Sequence, residues 1–292
     1  MKKYYDAILY TFSFLGIQVL STVIVTLAMR LLSDNQSGDV RVQTIIAASV
    51  LSGIMVCALF CSTKWCATTT DYIKQRPYRF LILTALLAVM LVIPMGTIEE
   101  SLPEALRENR LEDVFSEMLG SLWGYVAIAI VAPLAEEIVF RGAILRRLLK
   151  TEEGDEALTA RQVWASIALS SLLFALIHGN PAQIPHAFVI GLLLGWLYHR
   201  TGSIIPGIVY HWVNNSIPFL LIILFPDIPA DAEVQEYFEG NAFAHAAVFV
   251  VSATAAVVLL VMLRNSPANH AAPSASRCGN QSPECIPSRD RQ

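Results

Sequence analysis

Charge is what this sequence is short of. Only 15% of its 292 residues are Asp, Glu, Lys or Arg, while 55% are hydrophobic and the mean hydropathy is +0.54. A soluble domain carries about 25% charged residues, so an ordinary water-soluble fold is excluded. So much apolar surface also excludes a chain that stays disordered throughout. No basic patch is present, which excludes a nucleic-acid surface. Cysteine is scarce as well. Cys57, Cys61 and Cys66 sit in or just after one apolar run, Cys278 and Cys285 lie near the C-terminus, and there is no CxxC. That spacing excludes a disulfide framework and a structural zinc site. The thiols read as small packing residues. There is no HExxH and no internal repeat.

What the sequence has in abundance is long apolar runs. A membrane-spanning helix needs about 20 mostly apolar residues. Eight stretches qualify as candidates: 7–29, 42–62, 80–97, 119–149, 162–178, 184–198, 203–225 and 242–263. The first follows Lys2 and Lys3, but its apolar run is too long for a signal-peptide core and no cleavage site follows, so it reads as an anchor. The expected fold is all-α: a polytopic membrane protein of about eight transmembrane helices, with any active site inside the helix bundle. Four regions are expected: N-terminal spans with an external amphipathic helix (1–118), a core (119–225), an acidic loop with the last span (226–263) and a disordered cytoplasmic tail (264–292).

Lys and Arg set the direction. With the N-terminus inside, fifteen fall on inner segments and four (Arg30, Arg41, Arg107, Arg110) on outer ones, while Arg141 lies within the fourth span. Both termini are therefore expected in the cytoplasm, with the protein in the plasma (inner) membrane. Residues 98–118 predict an amphipathic surface helix: Ser101 and Glu104 have capping-box spacing, Pro103 suits a first turn, and Leu106, Leu111, Val114, Phe115 and Met118 recur near helical spacing. Gly191 and Gly195 form a GxxxG, which predicts close helix packing.

Ionisable side chains inside a bilayer are expensive and mark function. The fourth span holds Glu136, Glu137 and Arg141; the fifth ends at His178; the seventh holds His211 and Asn215. Glu137 and Arg141 are four apart and stack on one helix face. Glu136 points about 100° away and is the freer carboxylate. Each histidine taken singly also fits a satisfied core residue, and the charged trio also fits a structural ion cluster. Helical rise places Glu136 about 21 Å above Lys150, His178 about 25 Å above Arg161 and His211 about 14 Å above Gly202. These meet at one level if the hairpin between spans four and five projects into the cytoplasm, toward which the site is then expected to open.

Taken in order, Glu136-Glu137-Ile-Val-Phe-Arg141 is an EExxxR, Phe174-Ala-Leu-Ile-His178 an FxxxH, and His211-Trp-Val-Asn-Asn215 an HxxxN. Three such motifs on successive apolar spans resemble the CAAX protease and bacteriocin-processing enzyme family, which includes the prenyl-protein proteases. The resemblance covers roughly 119–225. It implies a glutamate-dependent intramembrane endopeptidase of the CAAX prenyl protease type. Glu136 and His178 would activate water, and His211 with Asn215 would stabilise the oxyanion. Glu137, Arg141 and Phe174 would support them. No cofactor and no metal is implied. The substrate would be a membrane-associated protein or peptide, whether or not prenylated, and the bilayer the other partner. Amide hydrolysis needs a base near water and donors aimed at the developing oxyanion, and this set contains both. Two alternatives stay open: a zinc metallopeptidase held by Glu136, His178 and His211, and a non-catalytic binding, immunity or transport protein.

Overall fold

A computed structural model describes residues 2–32, 38–67, 71–150, 157–229 and 232–266. The tail beyond Ser266, the hairpin tip at 151–156 and the cysteines Cys278 and Cys285 lie outside the described residues. All regular structure among the described residues is helical.

In chain order the helices are α1 (Lys2–Leu32), α2 (Gly38–Ser62), α3 (Asp71–Lys74), α4 (Tyr78–Glu100), α5 (Glu112–Leu119), α6 (Leu122–Tyr125), α7 (Ala132–Glu137), α8 (Arg146–Leu148), α9 (Ala160–Leu176), α10 (Gln183–Thr201), α11 (Ile205–Leu224) and α12 (Ala242–Asn265). Wider π-helical turns join α6 to α7 (Val126–Val131) and α7 to α8 (Ile138–Leu145). Short 3₁₀ turns lie at Glu104–Leu106 and Val234–Phe238.

Every apolar stretch read from the sequence folds as helix. Five helices (α1, α2, α4, α11 and α12) are long and apolar enough to cross a membrane, or six with the α5 to α8 segment. Eight is not reached by this measure among the described residues. Helix α9 is only 17 residues long, about 26 Å against a hydrocarbon layer of about 30 Å. Helix α10 carries Gln183, His186, His199 and Arg200, which dilute its apolar run.

Two further expectations are corrected. Residues 98–118 do not form one amphipathic helix. Helix α4 runs on to Glu100, and the Ser101 hydroxyl donates back to Ile98 O at 2.6 Å, so the capping box with Glu104 does not form. A 3₁₀ turn follows and then α5, which buries only Met118. The fourth span is not a straight helix either. Helix α5 and the segment from Leu122 to Leu148 are bent 110° apart. The bend draws Gly124 so close to the Met118 carbonyl that a Cβ there would sit 2.0 Å from its oxygen.

Polar contacts between distant segments sort the chain into two ends. At the end holding Lys2 and Ser266, the first and last described residues, Arg147 pairs with Asp6 at 2.6 Å, Lys3 donates to Leu148 O, Arg146 donates to Trp65 O, and Arg200 donates to the carbonyls of Leu263, Arg264 and Ser266. At the opposite end, Arg107 pairs with Glu233 at 3.5 Å, the Arg110 amide donates to Asn180, and His186 pairs with Glu99. Thr97 and His245 also share a hydrogen bond there, at 2.9 Å. The long helices therefore alternate in direction.

Candidate functional site

The site is built around α7, two turns flanked on both sides by π-helical backbone. A π turn widens the helix and leaves carbonyls within reach of neighbouring side chains, an arrangement frequent at functional sites. Two such carbonyls are occupied here. Asn215 Nδ2 donates to Ile128 O at 3.0 Å, and the buried Ser170 hydroxyl donates to Phe140 O at 2.8 Å. Helices α11 and α9 are thereby tied to the segment that carries the glutamates.

Glu137 and Arg141 form the buried half of the site. Their side chains are 0% and 1% exposed, and Arg141 Nη1 donates to Glu137 Oε1 at 2.7 Å. The guanidinium also donates to Gly191 O at 3.2 Å and lies 4.4 Å from the centre of the Phe174 ring. A buried charge needs such neutralisation, and a planar cation over an aromatic face adds to it. The glycines make room. A Cβ on Gly207 would lie 2.4 Å from Glu137 Oε2, and Cβ atoms on Gly191 and Gly195 would lie 2.8 Å from Ser171 and Ile167. The GxxxG is indeed a close contact of α10 with α9.

Glu136 faces the other way, as helical geometry requires. Its side chain remains 13% exposed, and Oε2 lies 3.6 Å from His211 Nε2. His211 is buried between the two carboxylates, with Nδ1 also 3.6 Å from Glu137 Oε1. Both separations exceed a hydrogen bond. His178 Nδ1 makes a 2.8 Å hydrogen bond to Phe174 O. A carbonyl oxygen only accepts, so Nδ1 carries the proton, and a neutral ring leaves Nε2 as an acceptor. Phe174 stands edge-on to both rings, 5.0 Å from His178 and 5.8 Å from His211.

Glu136 and His178 line a cavity of about 930 Å³, at the upper end of the range for ligand pockets. Sequence reasoning missed its other walls. Gln18, Thr22, Thr26 and Arg30 of α1 face it, as do Arg41, Ser49 and Ser52 of α2, while Leu111 and Phe115 reach in from around α5. The spacing 18, 22, 26, 30 is a polar stripe along one face of an otherwise apolar helix, and that signal was available. His211 and Asn215 do not line the cavity; the Asn215 amide is turned onto Ile128 O. Glu136, His178 and His211 were the candidate zinc ligands, but among the described residues no three His, Cys, Asp or Glu side chains are arranged to hold a metal ion.

The site was expected to open at the same end of the bundle as Lys2 and Lys150, and the cavity lies at the other end. The cavity runs from Phe14 and Glu136 to Arg30 and Arg41, at the end opposite the termini. Toward the termini the bundle is solid: Tyr10, Phe60, Val139, Phe140, Ile144 and Leu148 are buried in one apolar cluster. The depth estimate used the rise of an α-helix between Glu136 and Lys150, and the π turn over Ile138–Leu145 lies within that stretch.

Comparison with known proteins bears on the same segment. Residues 118–217 match the profile described as type II CAAX prenyl endopeptidase Rce1-like. The membrane-embedded CAAX protease MroQ of Staphylococcus aureus (strain USA300) is 29% identical over 116 residues, which cover 40% of this chain and 46% of that protein. The chain thus spans about half the length of the curated relative it matches. No solved structure matches. Taken with its apolar helices, the chain is an integral, multi-pass membrane protein, and the resemblance read from three short motifs holds across residues 118–217, which carry an Rce1-like domain.

Proposed function

We propose that this protein is a glutamate-dependent intramembrane endopeptidase of the CAAX protease type, acting on a membrane-associated protein or peptide. The observation that carries the reading is that Glu136 and His178 share one cavity while Glu137, one residue away, is fully buried and paired with Arg141 through Oε1. In this mechanism Glu136 takes a proton from a water that His178 Nε2 helps to orient. The water oxygen adds to the scissile carbonyl carbon. The oxyanion is met by His211, next to Glu136, and by the second N–H of Asn215, whose first is spent on Ile128 O. Collapse of the adduct breaks the C–N bond, and Glu136 returns its proton to the departing amine. Phe174, Glu137 and Arg141 hold the rings and the helix in place. The Rce1-like match and the relative named as a CAAX protease support the reaction class.

The test is cleavage of fluorogenic peptides by purified protein in detergent, comparing the native chain with Glu136→Gln. Gln keeps the size and loses the basicity. Turnover is expected to fall by about 10² to 10⁴-fold, the usual contribution of a general base, with an unchanged melting temperature. Near-normal turnover in Glu136→Gln would overturn the assignment.

A further inference from the structure

We propose that substrate reaches Glu136 and His178 from the extracytoplasmic face. The peptide bond cut would then belong to a polypeptide already exported or anchored in the outer leaflet, not to a C-terminus presented from the cytoplasm. The inference rests on the proposed peptidase reading and adds the side of access and the substrate class.

Three observations combine. The first is the end of the bundle at which the cavity lies. Along α1 its wall runs from Phe14 to Arg30, sixteen residues or about 24 Å of helix. Its remaining walls at that level are Arg41, Leu111, Phe115 and Gln183, all at the end opposite the termini. Exposure grades the same way: Phe14, Ser52 and Ala135 are buried, while Thr22, Arg30, Arg41 and Ser49 are exposed.

The second is what closes the other end. From Glu136 to Leu148 the chain descends twelve residues through packed side chains. Val139, Phe140, Ile144, Leu145 and Leu148 are all fully buried. Tyr10, Phe60 and Trp65 pack together beneath them, Phe60 edge-on to the other two rings, and Arg147 pairs with Asp6 at the rim. A hydrolase consumes one water per turnover, and the hollow half is the half that can supply it.

The third is charge. Lys2, Lys3, Lys64, Lys74, Arg76, Arg79, Arg146, Arg147, Lys150, Arg161, Arg200 and Arg264 all lie at the sealed end. Among the described residues the open end has only Arg30, Arg41, Arg107 and Arg110 as Lys or Arg, among many acidic residues that include Glu99, Glu104, Glu112, Asp113, Glu233 and Glu236. The loops concerned are short, the condition under which excess Lys and Arg mark the cytoplasmic side. The sealed end is therefore cytoplasmic and the open end is not.

The experiment has two arms, both on the full chain in a bacterial host. Thr26→Cys and Ser49→Cys, on the cavity wall, and Lys2→Cys, at the sealed end, are treated with a membrane-impermeant maleimide. The unaltered chain gives the background from its own cysteines. In spheroplasts Thr26→Cys and Ser49→Cys gain label and Lys2→Cys does not; in inverted vesicles Lys2→Cys gains it. Labelling of the cavity positions from the same side as Lys2→Cys, or from neither side, overturns the proposal. In the second arm a palmitoylated fluorogenic peptide is added to spheroplasts or to inverted vesicles. Cleavage by spheroplasts that is lost in Glu136→Gln supports the proposal. Cleavage confined to inverted vesicles overturns the side of access and leaves the peptidase reading standing. Cleavage in neither preparation, by chains whose cavity labels from outside, overturns the substrate class and counts against the peptidase reading.

Discussion

Glu136 and Glu137 are the same side chain one residue apart, and the two faces of α7 that carry them have little else in common. One face looks into a cavity whose walls include Thr22, Thr26, Ser49 and Ser52. The other is closed over a guanidinium, an aromatic ring and the backbone of α10 and α11, so tightly that Gly207 is needed to admit the carboxylate. A rotation of about 100° separates a part-exposed carboxylate from one held in place. In the proposed mechanism the first does the chemistry and the second holds the helix that aims it.

The contrast can be broken from the buried side. Phe174 touches Arg141, His178 and His211 together, so Phe174→Ala should cost about 3–5 kcal/mol and lower turnover as well. Phe174→Leu should recover most of the stability, as read by thermal melting in detergent. Glu137→Gln leaves a buried guanidinium half-neutralised. Loss of one partner from a buried pair costs about 3–5 kcal/mol, so the melting temperature should fall clearly. Gly207→Ala pushes a methyl group against Glu137 Oε2, and overpacking of this kind costs about 1–3 kcal/mol. Its loss of stability should shrink in a Glu137→Ala background, which removes the atom the methyl group meets. Ser170→Ala strands the Phe140 carbonyl of the π turn, worth about 1–3 kcal/mol for a buried acceptor. The smallest effect concerns Cys66. It packs against Gly142, and burial pushes its thiol up to about 12. The thiolate is the nucleophile, so Cys66 should stay unlabelled by maleimide at neutral pH until the protein is denatured.

How far the sequence disclosed this arrangement varies by element. The helices were legible because apolar runs are long and uninterrupted, and the Glu137–Arg141 pair was legible because i,i+4 spacing leaves few choices. The π turns on either side of α7 were not: Val126–Val131 and Ile138–Leu145 are apolar runs whose composition suits an ordinary helix. The donors that satisfy their carbonyls, Asn215 and Ser170, come from 87 and 30 residues away. The break in 98–118 turned on which way one hydroxyl bonds, and Ser101 bonded backward to Ile98. The cavity escaped because its walls belong to α1 and α2, whose small polar residues look like ordinary spacing on an anchor helix until the fold sets them opposite Glu136.

The most direct test of the account measures Glu136→Gln and Glu137→Gln side by side in one detergent, recording peptide turnover and melting temperature on the same samples. The account predicts that the two variants separate along different axes. Glu136→Gln loses its turnover and melts like the native chain; Glu137→Gln melts lower, and its activity falls with its stability. A Glu137→Gln protein that is inactive yet fully stable, beside a Glu136→Gln protein that still cleaves, would contradict it and exchange the two roles.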